Sequence, residues 1–168
     1  NTSDIYPTLL DIAGVEMENQ PPLDGISLMP LIESELTGRP KPMGFWEYTG
    51  AGRGVPGYRW MDELLEAQDK GKTIVDSSML NLDAAEITSV HPVDSFPGHA
   101  AWLDWPYKLH RIQSAPDNVK IELYNLARDS MEQNDLSETE IEKVDSMLGR
   151  LEEWQKSVIQ SLNGRDYH

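Results

Sequence analysis

The four histidines stand at 91, 99, 110 and 168, and the chain has no cysteine. None of the histidines lies four residues from another or in a His-Glu-x-x-His arrangement, so the spacing brings no pair of zinc ligands to one helix face. Without cysteine there are no disulfides, thiolate ligands or thiol nucleophiles, and the redox compartment stays open. GAGRG (50–54) has the glycines of an anion-binding nest but no strand-to-helix setting, and reads as a flexible turn. Adjacent carboxylates such as Asp62 and Glu63 are expected of a solvated face in so acidic a chain. His99 is better placed: in SFPGHAAWLDWPYKLHRI (95–112) it follows a Pro-Gly turn at the mouth of a strand, where loops present polar groups to clefts. A partly exposed turn histidine is the competing reading. Of the five tryptophans, Trp102, Trp105 and Trp154 are expected in the core, and Trp60 is the candidate ligand platform.

The elements that must position these groups follow from periodicity. Ser3 or Thr2 can cap a first helix, Asp4 sits where the macrodipole favours an anion, Ile5, Leu9 and Ile12 share one face, and Gly14 ends the helix. A Pro-rich connector leads to a short second helix at 27–34, and after the breaker cluster TGRPKPMG, GFWEY (44–48) reads as a strand. Residues 49–98 read as a long insertion with one helix at 60–72. Three more strands are predicted at 99–105, 107–112 and 119–126, making a small antiparallel sheet of roughly four strands. Ser137-Glu138-Thr139-Glu140 has the form of a capping box opening a helix over 137–163, its stripe Ile141, Val144, Leu148, Leu151, Val158 and Leu162. The class is therefore α+β.

Fourteen Lys and Arg against 29 Asp and Glu leave a net charge of −15. Such a field repels polyanions and argues against nucleic acid as a partner. No apolar run approaches the roughly 20 residues that span a bilayer, which argues against a membrane segment.

In order, Asp-Ile-x-Pro-Thr-Leu-Leu (4–10), Asp-Gly-x-Ser-Leu-x-Pro-Leu (24–31), Tyr-Lys-Leu (107–109) and Glu-Leu-Tyr-Asn-Leu (122–126) with its trailing Asn-Asp-Leu resemble the C-terminal part of arylsulfatase-type sulfatases, of the alkaline-phosphatase-like superfamily. The resemblance runs through 1–48 and 99–164. It implies that 1–43 are the last helices of an α/β catalytic domain and that 44–168 form a C-terminal subdomain, with 49–98 a variable insertion. It implies hydrolysis of sulfate esters, of sulfated glycans or of aryl or sugar sulfates, by a formylglycine nucleophile with calcium. Ser95-Phe96-Pro97-Gly98-His99 and Ser114-Ala115-Pro116-Asp117-Asn118 share two positions with the Cys/Ser-x-Pro-x-Arg motif but lack its Arg. No catalytic or metal residue is therefore carried over, and the chain alone is expected to be inactive and to pack on a catalytic domain upstream. A periplasmic or secreted location is implied as well. Position and side-chain chemistry make Arg53, Trp60 and His99 candidates for a substrate rim: Arg53 to pair with a sulfate or uronate, Trp60 to stack on a ring, His99 to donate to a hydroxyl. Two rival readings are a related phosphodiesterase or phosphonate hydrolase, and a free-standing acidic interaction module.

Overall fold

The computed structural model describes residues 1–35, 38–47, 62, 65–72, 90–115 and 117–165. The chain divides into two units, Thr49–Val90 and the remainder, Asn1–Tyr48 with His91–His168. In the smaller unit the described part is helical at 65–69, and Gly71, at φ 59°, turns the chain as its N–H reaches the Gln68 carbonyl.

The larger unit is α+β. Strands β1 (Met43–Trp46), β2 (Ala100–Asp104), β3 (Tyr107–Ala115) and β4 (Asn118–Asn125) form one antiparallel sheet in that order. The register aligns Gly44, Trp102, Leu109 and Leu123 across all four strands. With alternation of side chains, that row shares a face, and the C-terminal helix (Ile141–Leu162) covers it with Val144, Met147 and Leu151. Gly44 has no side chain for a reason: a Cβ there would lie 2.4 Å from the Trp154 ring.

The helix differs from its sequence reading in start and in face. It begins at Ile141, not at 137, because Ser137 is already engaged: its N–H donates to Asp135 Oδ1 at 2.9 Å, and its hydroxyl bonds the same carboxylate. Asp135 also takes the Leu123 N–H, while the Leu136 N–H donates to the Leu123 carbonyl, so this turn is fastened to β4 before the helix opens. The buried row is Val144, Met147, Leu151, Gln155 and Ile159, whereas Ile141 and Leu162 are exposed. Trp102 is buried and Trp154 partly so, but Trp105, expected in the core, is 63% exposed. The pairing of Asp104 with Tyr107 leaves Trp105 and the cis-linked Pro106 as the two loop residues of a hairpin, beyond the helix's cover.

The N-terminal segment starts with a 3-10 turn (Thr2–Asp4) and helix α1 (Ile5–Ala13), closed by Gly14 at φ 62°. Thr2 and Ser3 lie inside that turn instead of capping. Asp4 stands at the N-terminal end of α1, as expected, and is buried there. The second helix, α2 (Met29–Ile32), is one turn long. The two resembling motifs of this segment interlock. The Ile26 N–H donates to Asp4 Oδ1 at 3.0 Å and Arg39 Nη1 to Oδ2 at 2.8 Å. Thr8 Oγ1 donates to the Asp4 carbonyl and accepts the Leu28 N–H, and Ser27 donates to Asp11. Gly25 lies so near the Ser3 carbonyl that a Cβ would come within 1.9 Å of its oxygen. Asp24 accepts the Trp154 indole N–H at 3.0 Å, tying this knot to the C-terminal helix.

Burial alone would raise the Asp4 pKa, but Arg39, the Ile26 N–H and the terminal ammonium outweigh it and hold it at about 2. The folded-state value lies below the unfolded 3.8, so the unfolded chain binds the extra proton. Its contribution, about 2 kcal/mol, is complete above pH 4 and is lost as pH falls through about 2. Urea unfolding at pH 5 and pH 2.5 should show this loss, and Asp4→Asn should be less stable at pH 5 with a flatter acid dependence. Gln155 is fully buried, and among the described residues neither end of its amide has a hydrogen-bond partner. Gln155→Leu keeps the volume and removes that desolvation cost, so it should raise unfolding stability by about 1 kcal/mol in the same assay.

Candidate functional site

The turn carrying His99 is held from two strands. Arg111 on β3 donates through Nη1 to the carbonyls of Phe96 (2.9 Å) and Gly98 (3.1 Å), and the Gly98 N–H donates to Gln113 Oε1 at 2.8 Å. From β1, Trp46 Nε1 donates to the Pro97 carbonyl at 2.7 Å, its ring tilted against Phe96. The Glu47 N–H donates to the His99 carbonyl, extending the β1–β2 pairing to the mouth of the sheet. Turn positions that sequence composition leaves open are thus fixed by side chains 13 to 51 residues away.

His99 itself is exposed. The Gln113 N–H donates to its Nδ1 at 3.0 Å, so in the neutral ring the proton resides on Nε2. That leaves an Nε2–H as the ring's donor, which is the chemistry a hydroxyl or sulfate oxygen would meet. Arg53 and Trp60 lie outside the described residues. Of the three rim candidates, His99 alone is therefore placed, and no grouping of the three is described.

A second polar arrangement lies on the sheet face away from the helix, where register puts Lys108 beside Tyr124 and His110 beside Glu122. Glu132 reaches in from the turn after β4, pairing with Lys108 Nζ at 2.6 Å and His110 Nε2 at 3.1 Å. Its backbone sits at φ 56°, a left-handed conformation uncommon outside glycine. Chiefly through its Lys108 hydrogen bond, Glu132 is held below the usual carboxylate range. Alongside, Tyr124 donates to Glu122 Oε2 at 3.0 Å, and burial, reinforced by Glu122, pushes its hydroxyl up to about 12. Glu122 is lowered in turn, first by its bond from Lys120. The His110 ring meets Tyr124 edge-on at 5.9 Å.

This cluster orients a histidine and fixes a turn; the hydroxyl it contains, that of Tyr124, donates to Glu122 and is pushed up to about 12, which keeps it protonated and a poor nucleophile. Sequence reading did not find it. The shared parity of Lys108 and His110 on β3 was a usable signal, while Glu132, arriving from an irregular turn, gave none. Among the described residues no group of three His, Cys, Asp or Glu is arranged to hold a metal ion. None of their helices is long and apolar enough to cross a membrane.

No protein-family model and no curated protein sequence matches this chain. Among solved structures, BT4656 in complex with its substrate D-glucosamine-2-N,6-O-disulfate is similar over 98% of this chain and 25% of its own, at 21% identity and a TM-score of 0.48. A phosphonate monoester hydrolase of Agrobacterium radiobacter is similar over 97% of this chain and 24% of its own, at 19% identity and a TM-score of 0.37. The chain spans about a quarter of the length of these proteins. Neither likeness extends to a substrate or an activity of this chain.

The hydrogen bond from Gln113 to His99 yields a direct test. In a nitrogen-15 spectrum of the imidazoles at pH 8, His99 should show the Nε2–H tautomer with an unprotonated Nδ1. A dominant Nδ1–H form would mean that the ring does not accept from Gln113.

Proposed function

We propose that the chain is the C-terminal part of an arylsulfatase-type hydrolase of sulfate esters. The observation that carries this reading is the interlock of motifs the resemblance rests on. Asp4 and Thr8 of the first motif bind the Ile26 and Leu28 N–H groups of the second, whose Asp24 is bound by Trp154 of the last helix. Residues matched in order along the sequence thus close on one another in space. The uncovered face of α1 agrees with a catalytic domain packed there: Ile5, Leu9 and Ile12 are 56%, 58% and 61% exposed, and Leu31 and Ile32 on α2 continue the apolar surface.

In this reading the calcium ligands and the formylglycine belong to the upstream domain. The residues described here do not form such a metal site, and neither Ser-x-Pro sequence has the required Arg, so no reaction step is assigned to them. What this chain supplies is a rim: the clamped turn at 95–99 holds His99 with an Nε2–H to donate to a substrate oxygen, and Arg53 and Trp60 remain rim candidates. The substrate class is a sulfated glycan or an aryl or sugar sulfate, and a periplasmic or secreted location belongs to the same proposal.

The coding sequence upstream of Asn1 and the activity of its full product test the proposal. An open frame encoding Cys/Ser-x-Pro-x-Arg is expected, with sulfate released from 4-nitrophenyl sulfate by the full product and none by residues 1–168 alone. A full product that cleaves phosphate or phosphonate esters but no sulfate ester would overturn it, as would a frame that opens at Asn1.

A further inference from the structure

Trp105 stands on the β2–β3 loop with its indole largely in solvent. The loop divides two depressions, and Asp104 and Trp105 line both. The larger, of about 800 Å³, extends to Lys143 and Arg150 near the start of the C-terminal helix; the smaller, of about 270 Å³, extends to Arg39 and Lys41. The larger lies in the size range of small-ligand sites.

Their charge departs from that of the chain. Acidic residues outnumber basic ones 29 to 14 overall, yet these depressions are lined by four cations and only three carboxylates, Asp104, Glu140 and Glu142. The polar groups are also held in place. Arg150 Nη1 pairs with Asp104 Oδ2 at 2.6 Å, Lys143 Nζ lies 4.2 Å from the Tyr107 ring centroid, and the Tyr107 hydroxyl donates to Glu140 at 3.4 Å. Arg39 is anchored to Asp4 and the Lys41 carbonyl. An exposed indole can stack against the C–H face of a sugar ring, while guanidinium and carboxylate groups beside it bond ring hydroxyls and the cations meet acidic substituents. A ligand longer than one ring could lie across Trp105 and reach both depressions.

We propose that the Trp105 loop and its two flanking depressions form a binding site for an acidic oligosaccharide, sulfated or uronic. The proposal rests on the sulfatase reading only in choosing a sugar to carry the anionic groups; the indole and the cations are features of this chain.

Isothermal titration of the 168-residue chain with a heparin-derived sulfated tetrasaccharide tests it, read beside the indole N–H signals in a nitrogen-15 spectrum. Saturable binding is expected, with a shift of the Trp105 indole signal. Trp105→Ala should weaken binding about tenfold, and Lys143→Ala about threefold. Trp105→Phe should retain most of the affinity. Since Trp105 is exposed, the alanine variant should unfold at the unchanged temperature, which separates lost binding from lost fold. Binding that Trp105→Ala leaves intact would overturn the proposal and mark a diffuse electrostatic contact, as would no saturation at millimolar sugar. Equal binding of a neutral tetrasaccharide without sulfate or carboxylate groups would overturn the acidic ligand class. Titration needs no ester cleavage, so an upstream frame without the nucleophile motif would remove the sulfatase reading and leave this result standing.

Discussion

The indole of Trp154 is the contact on which the larger unit depends. It lies over Gly44, where no side chain can stand, with Trp102 of the next strand at a ring-centroid distance of 6.2 Å, and it donates its N–H to Asp24. One side chain of the C-terminal helix thus meets β1, β2 and the N-terminal segment. The constraint runs backwards through the sequence: β1 must carry glycine opposite Trp102, and Asp24 must be presented by a backbone that the Gly25–Ser3 approach and the Asp4 knot hold in place.

Buried charge serves geometry in that knot. Asp4 is nearly inaccessible and takes donors from Arg39 and Ile26, so removing one partner would strand an ion in a poorly solvated place. The same logic recurs more mildly at the far edge of the sheet. Asp135 accepts the Leu123 and Ser137 N–H groups, and Asp129 accepts those of Gln133 and Asn134, so carboxylates organise the irregular chain between β4 and the last helix. Much of the chain's acidity is solvated surface, but these aspartates act as local templates for backbone.

The sheet was legible in the sequence because its strands are bounded by breakers and the last of them alternates, and all four strands lie within a few residues of their expected bounds. The helix was legible in existence and less so in face. A 3–4 spacing could be drawn through Ile141 and Leu162, but the buried row starts with Val144, Met147 and Leu151, which pack with Leu109 and Leu123, and continues through Gln155 and Ile159. A buried glutamine hides that row from any reading by apolar period. Trp105 shows the same limit: its size argues for burial, while its place in a two-residue loop decides for exposure. At the candidate site, the position of His99 could be read from the Pro-Gly turn before it. Its tautomer could not, because that depends on a backbone N–H from Gln113 across the strand pair. Partners distant in sequence, such as Arg39 for Asp4 and Glu132 for His110, leave no local pattern.

The central claim is that the sheet and last helix form a core sufficient in itself, while α1, with Ile5, Leu9 and Ile12 exposed, stands outside that core. Native-state hydrogen exchange on the 168-residue chain tests this most directly. The account predicts that the Leu109, Leu123 and Leu151 amides exchange only through global unfolding, and that those of Leu9 to Ala13 exchange much faster through local opening. Equal protection of α1 and the sheet would contradict it.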